Sequence, residues 1–468
     1  MLESSPDKPG SLRAEAYMKT FRSIIYADIA LSALLLVSIL VKSLVLENKP
    51  LGMITIPLVS VLAVNIILCL LSLRAINKGR GKTAARVWLL VLALFGFYAV
   101  TDLVSGYFII PPGDMEEVHV GDEYVHHKLG PYKPFRIFNP YDFDIRTKTN
   151  NLGFRGEDVP EKKDPSEFRI VMLGDSFTLG TGVSDDDTFW RLLEKRLNGT
   201  DGKRFRVIST GISSYSPILE YITLKRNIDA LKPDLVIMNF DMSDLLNEYV
   251  YRKIAVFGEG GDPVKVSGIE EYTKAKTSIT KKASDWMYRH LFLSTALVEL
   301  YRTHIAGEPK LEEMDVENTV TRERASMLEH TLTKPDYEDF DGIMTGIEDS
   351  ILRTKALCES YGCGFILTTY PYGHQVSPDE WMPGRYRYLE SADFGISDRT
   401  VDELARFSAA NGIPFLNTFP DFRAYSGKEK LYFSHDPHWT PAGQKIMADA
   451  LYNFLIPYLA NNYGVKTE

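Results

Sequence analysis

Residues 169–183 read Arg169-Ile-Val-Met-Leu-Gly-Asp-Ser-Phe-Thr-Leu-Gly-Thr-Gly-Val183. A short apolar run breaks at Gly174 and presents Asp175 and Ser176 on the turn into the next segment. About 260 residues later the chain reads Asp436-Pro-His-Trp-Thr-Pro-Ala-Gly443, which places an acid and an imidazole on a loop ahead of a helix. A serine, a histidine and an aspartate gathered across a parallel sheet form an activated nucleophile.

Working outward, short β-branched or aromatic runs recur at 168–173, 205–209, 235–240, 365–369 and 414–416. Helical patterns separate them, at about 187–198, 217–231, 344–361 and 397–411, with a last one at about 441–458. This alternation predicts an α/β fold: a three-layer α/β/α domain over residues 164–468 with a five-stranded parallel sheet. Reactive groups in such sheets gather beyond the carboxyl ends of the strands, where Ser176, Gly211, Asp241–Asp244 and the Asp436/His438 loop all fall. The stretch 250–343 is too long for a simple crossover. It holds a glycine-rich turn (Gly258–Gly261), an amphipathic pattern over Ala283–His304 and a charged run. It reads as an inserted lid over the site, with a polar linker carrying one helix as the alternative.

The chain has 468 residues and a net charge of −9, unevenly distributed. Residues 1–110 carry 11 Lys+Arg against 6 Asp+Glu, and the remainder carries 42 against 56. Three apolar stretches, about 24–46, 51–73 and 87–110, are each long enough to cross a bilayer, which takes about 20 residues. Asp28 and Lys42 lie near the ends of the first, where snorkelling relieves their cost. Lys8, Arg13, Lys19 and Arg22 precede the first stretch, and Arg74, Lys78, Arg80, Lys82 and Arg86 separate the second from the third. The positive-inside rule then keeps the amino terminus in the cytoplasm and exports everything after residue 110. The expected location is the inner (cytoplasmic) membrane, multi-pass, with the catalytic domain periplasmic or extracellular. Asp102, inside the third stretch, reads as a polar site, a helix–helix contact or an interfacial residue.

Residues 111–163 read as an irregular β-containing lead-in, in which His126 and His127, being adjacent, point opposite ways as a surface pair. Cys358 and Cys363 read as two buried thiols, with a disulfide as the alternative. No ligand spacing for a metal, no cofactor motif and no basic aromatic face for nucleic acid occurs.

The segment Gly174-Asp-Ser-Phe-Thr178, with its preceding strand, resembles the first sequence block of the GDSL/SGNH esterase and acyltransferase family. The resemblance extends to Asn151-Leu-Gly-Phe-Arg155 upstream, to the glycine block Ser209-Thr-Gly-Ile-Ser-Ser-Tyr-Ser216, and to His438-Trp-Thr-Pro-Ala-Gly443. It covers about residues 140–460 and implies the flavodoxin-like fold of that family. It also implies that Ser176 is the nucleophile and His438 the general base; Asp436, two residues earlier on an extended segment so that both side chains leave the same face, is the acid expected to orient the imidazole. The sequence departs from the family pattern at His435, which occupies the usual position of the acid three residues before the histidine. The resemblance further implies an oxyanion hole from the N–H groups of Ser176 and Gly211. A side chain at Gly211 is expected to fill the space for the substrate oxygen. In the family's Gly-x-Asn-Asp block this chain reads Asp241-Met-Ser-Asp244, so Ser243 stands where a third donor, Asn, is usual.

The expected function is a membrane-anchored extracytoplasmic serine esterase acting on ester-linked acyl groups, foremost O-acetyl groups of envelope or exported polysaccharide, by hydrolysis or transfer. The expected partners are the acylated polysaccharide, the lipid bilayer and a multispan membrane protein, with no cofactor. A lipid or acyl esterase and a catalytically silent glycan-binding or assembly module are the rival readings.

Overall fold

The computed structural model describes residues 9–40, 55–109, 119–139, 141–199, 204–266, 291, 294, 340–387 and 396–465. The chain divides into two compact units.

The first unit holds three helices, α1 (Pro9–Leu40), α2 (Thr55–Asn77) and α3 (Gly81–Ile109). Among the described residues, Gly81–Ser105 of α3 is the segment long and apolar enough to cross a membrane, and Asn65–Asn77, the second half of α2, is also apolar. The first expected stretch runs past Leu40 into residues 41–46, which lie outside the described residues, as do 51–54 of the second. Polar groups in these helices meet one another, and Lys42 lies outside the described residues. Asn65 Nδ2 donates to Asp28 Oδ1 at 3.1 Å, Cys69 Sγ lies 3.3 Å from Asp28 Oδ2, and Trp88 Nε1 donates to Ser72 Oγ at 2.8 Å. Such bonds are the economical partners for polar side chains where water is scarce. Asp102 of α3 is 1% exposed and accepts the backbone N–H of Ser294 at 3.3 Å. It therefore makes a contact with the segment in which the lid was expected. The rest of that expected helix, apart from Leu291, lies outside the described residues.

The second unit is built on a five-stranded, all-parallel sheet. Its strands are β5 (Glu167–Leu173), β6 (Arg204–Ser209), β7 (Leu235–Phe240), β10 (Gly364–Thr369) and β11 (Phe415–Asn417), in the order β11-β10-β7-β5-β6. Every residue of β5 and β7 is buried, as the continuous apolar runs require of strands covered on both faces. The α/β class and the five parallel strands are those expected from the alternation. Helices α4 (Ser176–Leu179), α5 (Phe189–Leu197), α6 (Pro217–Leu231), α7 (Asp244–Ile254), α8 (Phe340–Tyr361), α9 (Gly373–Val376), α10 (Arg399–Ala410), α11 (Phe419–Arg423) and α12 (Pro441–Tyr463) surround and connect the strands. The glycine-rich turn joins a small antiparallel pair, β8 (Ala255–Phe257) and β9 (Pro263–Val266).

The lead-in forms two antiparallel hairpins, β1 (His119–Asp122) with β2 (His126–Leu129) and β3 (Pro134–Asn139) with β4 (Phe143–Lys148). The expectation for His126 and His127 fails here. His126 has φ +59°, which breaks the alternation of a strand, and the two Nδ1 atoms lie 3.0 Å apart. His127 is buried, with Nε2 2.8 Å from Ser213 O, and burial together with His126 lowers its pKa to about 3. Cys358 and Cys363 are free, buried thiols.

Candidate active site

Strand β5 delivers Ser176. After Leu173 the chain turns at Gly174, whose φ of +153° disfavours L side chains and where a Cβ would sit 2.1 Å from Thr178 Oγ1. Asp175 caps the short α4, its Oδ1 accepting the Phe177 N–H at 2.9 Å, so this carboxyl pins the turn. The Ser176 N–H falls at the first helical position, where no intrahelical acceptor exists.

The loop before α12 delivers the other two groups. His438 Nε2 lies 2.7 Å from Ser176 Oγ, and His438 Nδ1 lies 2.5 Å from Asp436 Oδ1. The same carboxylate oxygen accepts the His438 backbone N–H at 3.1 Å. Burial alone would raise the Asp436 carboxyl. The adjacent His438 and hydrogen bonds from His438 and Asn139 outweigh it and hold the pKa below the ordinary value. Phe177 packs on the imidazole at 4.7 Å between centroids, limiting its rotation. Ser176, His438 and Asp436 are thus brought together in hydrogen-bonded sequence. His435 is held apart: its ring stacks on Tyr141 at 4.4 Å, and its backbone N–H donates to Asp142 Oδ2 at 2.8 Å.

The expected oxyanion donors are arranged less simply. Gly211 has no room for a side chain, but for a reason other than the one expected. A Cβ there would lie 2.3 Å from Leu179 N and 2.7 Å from Asp175 O, so it would strike the nucleophile's own turn. The Gly211 N–H donates to Ser209 Oγ at 3.3 Å. Ser243 is buried and hydrogen-bonds through its side chain to Asp241 and Tyr372.

That contact belongs to a buried acid cluster beneath the nucleophile, of which sequence reasoning singled out Asp175, Asp241 and Asp244 separately and missed Glu220 and Glu248. Asp175, Glu220, Asp241, Asp244 and Glu248 are each about 3% exposed or less. Burial, and next the neighbouring Asp241, push Asp175 well above the ordinary carboxylate range. Burial likewise raises Asp241, although hydrogen bonds from Asp175, Ser243 and Tyr372 favour its ionised form. The pair therefore holds a shared proton, because two adjacent buried carboxylates do not both ionise. Tyr370 donates to Asp175 Oδ1 at 3.2 Å and Tyr372 to Asp241 Oδ2 at 3.1 Å.

Two further residues brace the site. Arg155, fully buried, donates to Leu179 O (3.1 Å), Gly180 O (2.6 Å) and Val183 O (2.7 Å), and its Nε donates to Asp185 Oδ1 at 2.7 Å. One guanidinium therefore fixes the whole loop after Ser176. Asn139, at the end of β3, accepts the Tyr141 N–H at 3.0 Å and supports Asp436. Arg155 was visible only as part of the family lead-in, and Asn139 carried no sequence signal.

The chain is similar to solved structures of esterases and of a GDSL-like lipase. They include a catalytic mutant of the acetylxylan esterase Axe2 from Geobacillus stearothermophilus (11% identity, covering 66% of this chain and 100% of that one, TM-score 0.33). An acetyl xylan esterase, AlAXEase, gives 14% identity, 62% and 100% coverage and a TM-score of 0.31. A GDSL-like lipase from Bacteroides thetaiotaomicron gives 15%, 64% and 93%, and 0.30. No protein-family model and no curated protein matches the chain.

Proposed function

We propose that this chain is a membrane-anchored, extracytoplasmic serine esterase of the SGNH type that removes or transfers ester-linked acyl groups, foremost O-acetyl groups of polysaccharide. The observation that carries the proposal is the unbroken line from Ser176 Oγ through the His438 ring to Asp436, with contacts of 2.7 and 2.5 Å. Ser176 Oγ attacks the acyl carbon while its proton passes to His438 Nε2. Asp436 stabilises the imidazolium and holds the tautomer that accepts at Nε2. The oxyanion is received by the N–H groups of Ser176 and Gly211, the latter exchanging its bond to Ser209 Oγ for the stronger bond to an anion. The glycan oxygen leaves with the proton from His438, and water or a second hydroxyl then takes the acyl group from Ser176.

The anchoring half of the proposal is supported by the apolar helix Gly81–Ser105 and the concentration of basic residues before α1 and between α2 and α3. A silent binding module is the second reading, favoured by the prior engagement of both Gly211 N–H and Ser243. A fluorophosphonate probe separates the two. It should label the full-length protein and fail on Ser176→Ala; equal labelling of both would remove Ser176 from the mechanism, and no labelling of the wild type would favour the silent module.

A further inference from the structure

A cleft of about 510 Å³ that none of Ser176, His438 and Asp436 lines opens on the sheet unit, walled by Tyr132, Lys148, Gly156, Asp158, Asp185 and Trp190 among others. We propose that this cleft is a distal subsite that grips the neutral glycan chain of the substrate, several sugar units from the acyl ester cleaved at Ser176. This inference rests on the polysaccharide reading above and extends it.

Three observations carry it. Tyr132 stands at the lip 65% exposed, with a φ of +55° that is uncommon for an aromatic residue. A bond from its N–H to Asn150 O at 3.1 Å holds it there. Strain that presents a flat aromatic ring to solvent suits stacking against the C–H face of a sugar. Trp190, 3% exposed, contributes aromatic surface to the wall. The lining carries Glu157, Asp158, Asp185 and Asp186 against Lys148 and Arg191, a balance that disfavours an anionic polymer while offering acceptors to hydroxyl groups.

The β3–β4 hairpin sets the distance. Its turn end carries Asn139 on Asp436 and Asp142 on His435, and its open end, Pro134 paired with Lys148, lines the cleft. Five residue steps at about 3.4 Å place the two ends about 17 Å apart. Asp185 also joins the cleft to the Arg155 clamp on the nucleophile's loop.

The test uses the full-length protein in detergent with O-acetylated xylan and p-nitrophenyl acetate. Tyr132→Ala should raise KM for the polymer at least fivefold and leave kcat/KM for the short ester within twofold, with Tyr132→Phe restoring the polymer KM. An unchanged polymer KM overturns the subsite. Affinity electrophoresis of Ser176→Ala in gels containing the same xylan reads the cleft without the reaction. Retardation that Tyr132→Ala relieves is expected, and unretarded migration overturns the proposal. Failure of the wild type on p-nitrophenyl acetate would instead sink the esterase reading and leave that binding result standing.

Discussion

His438 Nδ1 lies 2.5 Å from Oδ1 of Asp436, two residues earlier on the same loop. The spacing lets one carboxylate oxygen hold both the ring and the backbone N–H of His438, so the acid and the base are positioned as one piece. Asp436→Asn should leave the fold intact and lower kcat by about 10⁴, the loss known for the equivalent change in a serine protease, because the amide favours the wrong tautomer. Steady-state hydrolysis of p-nitrophenyl acetate, with circular dichroism as the folding control, checks it. Near-wild-type turnover would transfer the orienting role to another group.

Gly211 faces the backbone of the nucleophile's turn. Gly211→Ala places a methyl carbon 2.3 Å from Leu179 N and forces the turn to move. Overpacking of this kind costs about 1–3 kcal/mol or more. Thermal unfolding should shift down by several degrees with a concurrent loss of kcat. Loss of kcat at unchanged stability would restore the simpler idea that Gly211 only leaves room for substrate.

The Asp175–Asp241 pair makes stability depend on pH with a defined sign. Asp241 has its folded pKa raised, so between the ordinary carboxylate value and that raised value the folded state holds more proton than the unfolded one. The contribution is fully present below the ordinary value and is lost as pH rises through the folded one. Asp241→Asn removes this loss, so its Tm relative to wild type should be a few degrees higher at pH 8 than at pH 5. His127 and His374, each lowered to about 3 chiefly by burial, act in the opposite direction, with stability lost as pH falls. Both are common to the two proteins and cancel in the difference. A Tm difference that does not change with pH would show that the pair does not share a proton.

The sheet was legible because runs such as Leu235–Met238 are apolar throughout, as a strand covered on both faces demands. Asp436 was legible from its spacing to His438 alone. Ser243 was not: matching blocks puts it where a third oxyanion donor is usual, whereas its hydroxyl is engaged with Asp241 and Tyr372 in a packed interior. Arg155 and Asn139 act through contacts about 24 to 300 residues away in sequence, and periodicity carries no information at that range. His126 misled because a single positive φ cancels the alternation on which strand reasoning depends.

The most direct test of the central claim is to trap the intermediate. Full-length protein mixed with p-nitrophenyl acetate, quenched in acid within milliseconds and digested, should yield an acetyl group on the peptide containing Ser176. Its amount should match a burst of p-nitrophenol close to one equivalent, and both should be absent from Ser176→Ala. Steady release of p-nitrophenol with no acetylated Ser176, or a burst that persists in Ser176→Ala, would contradict the account.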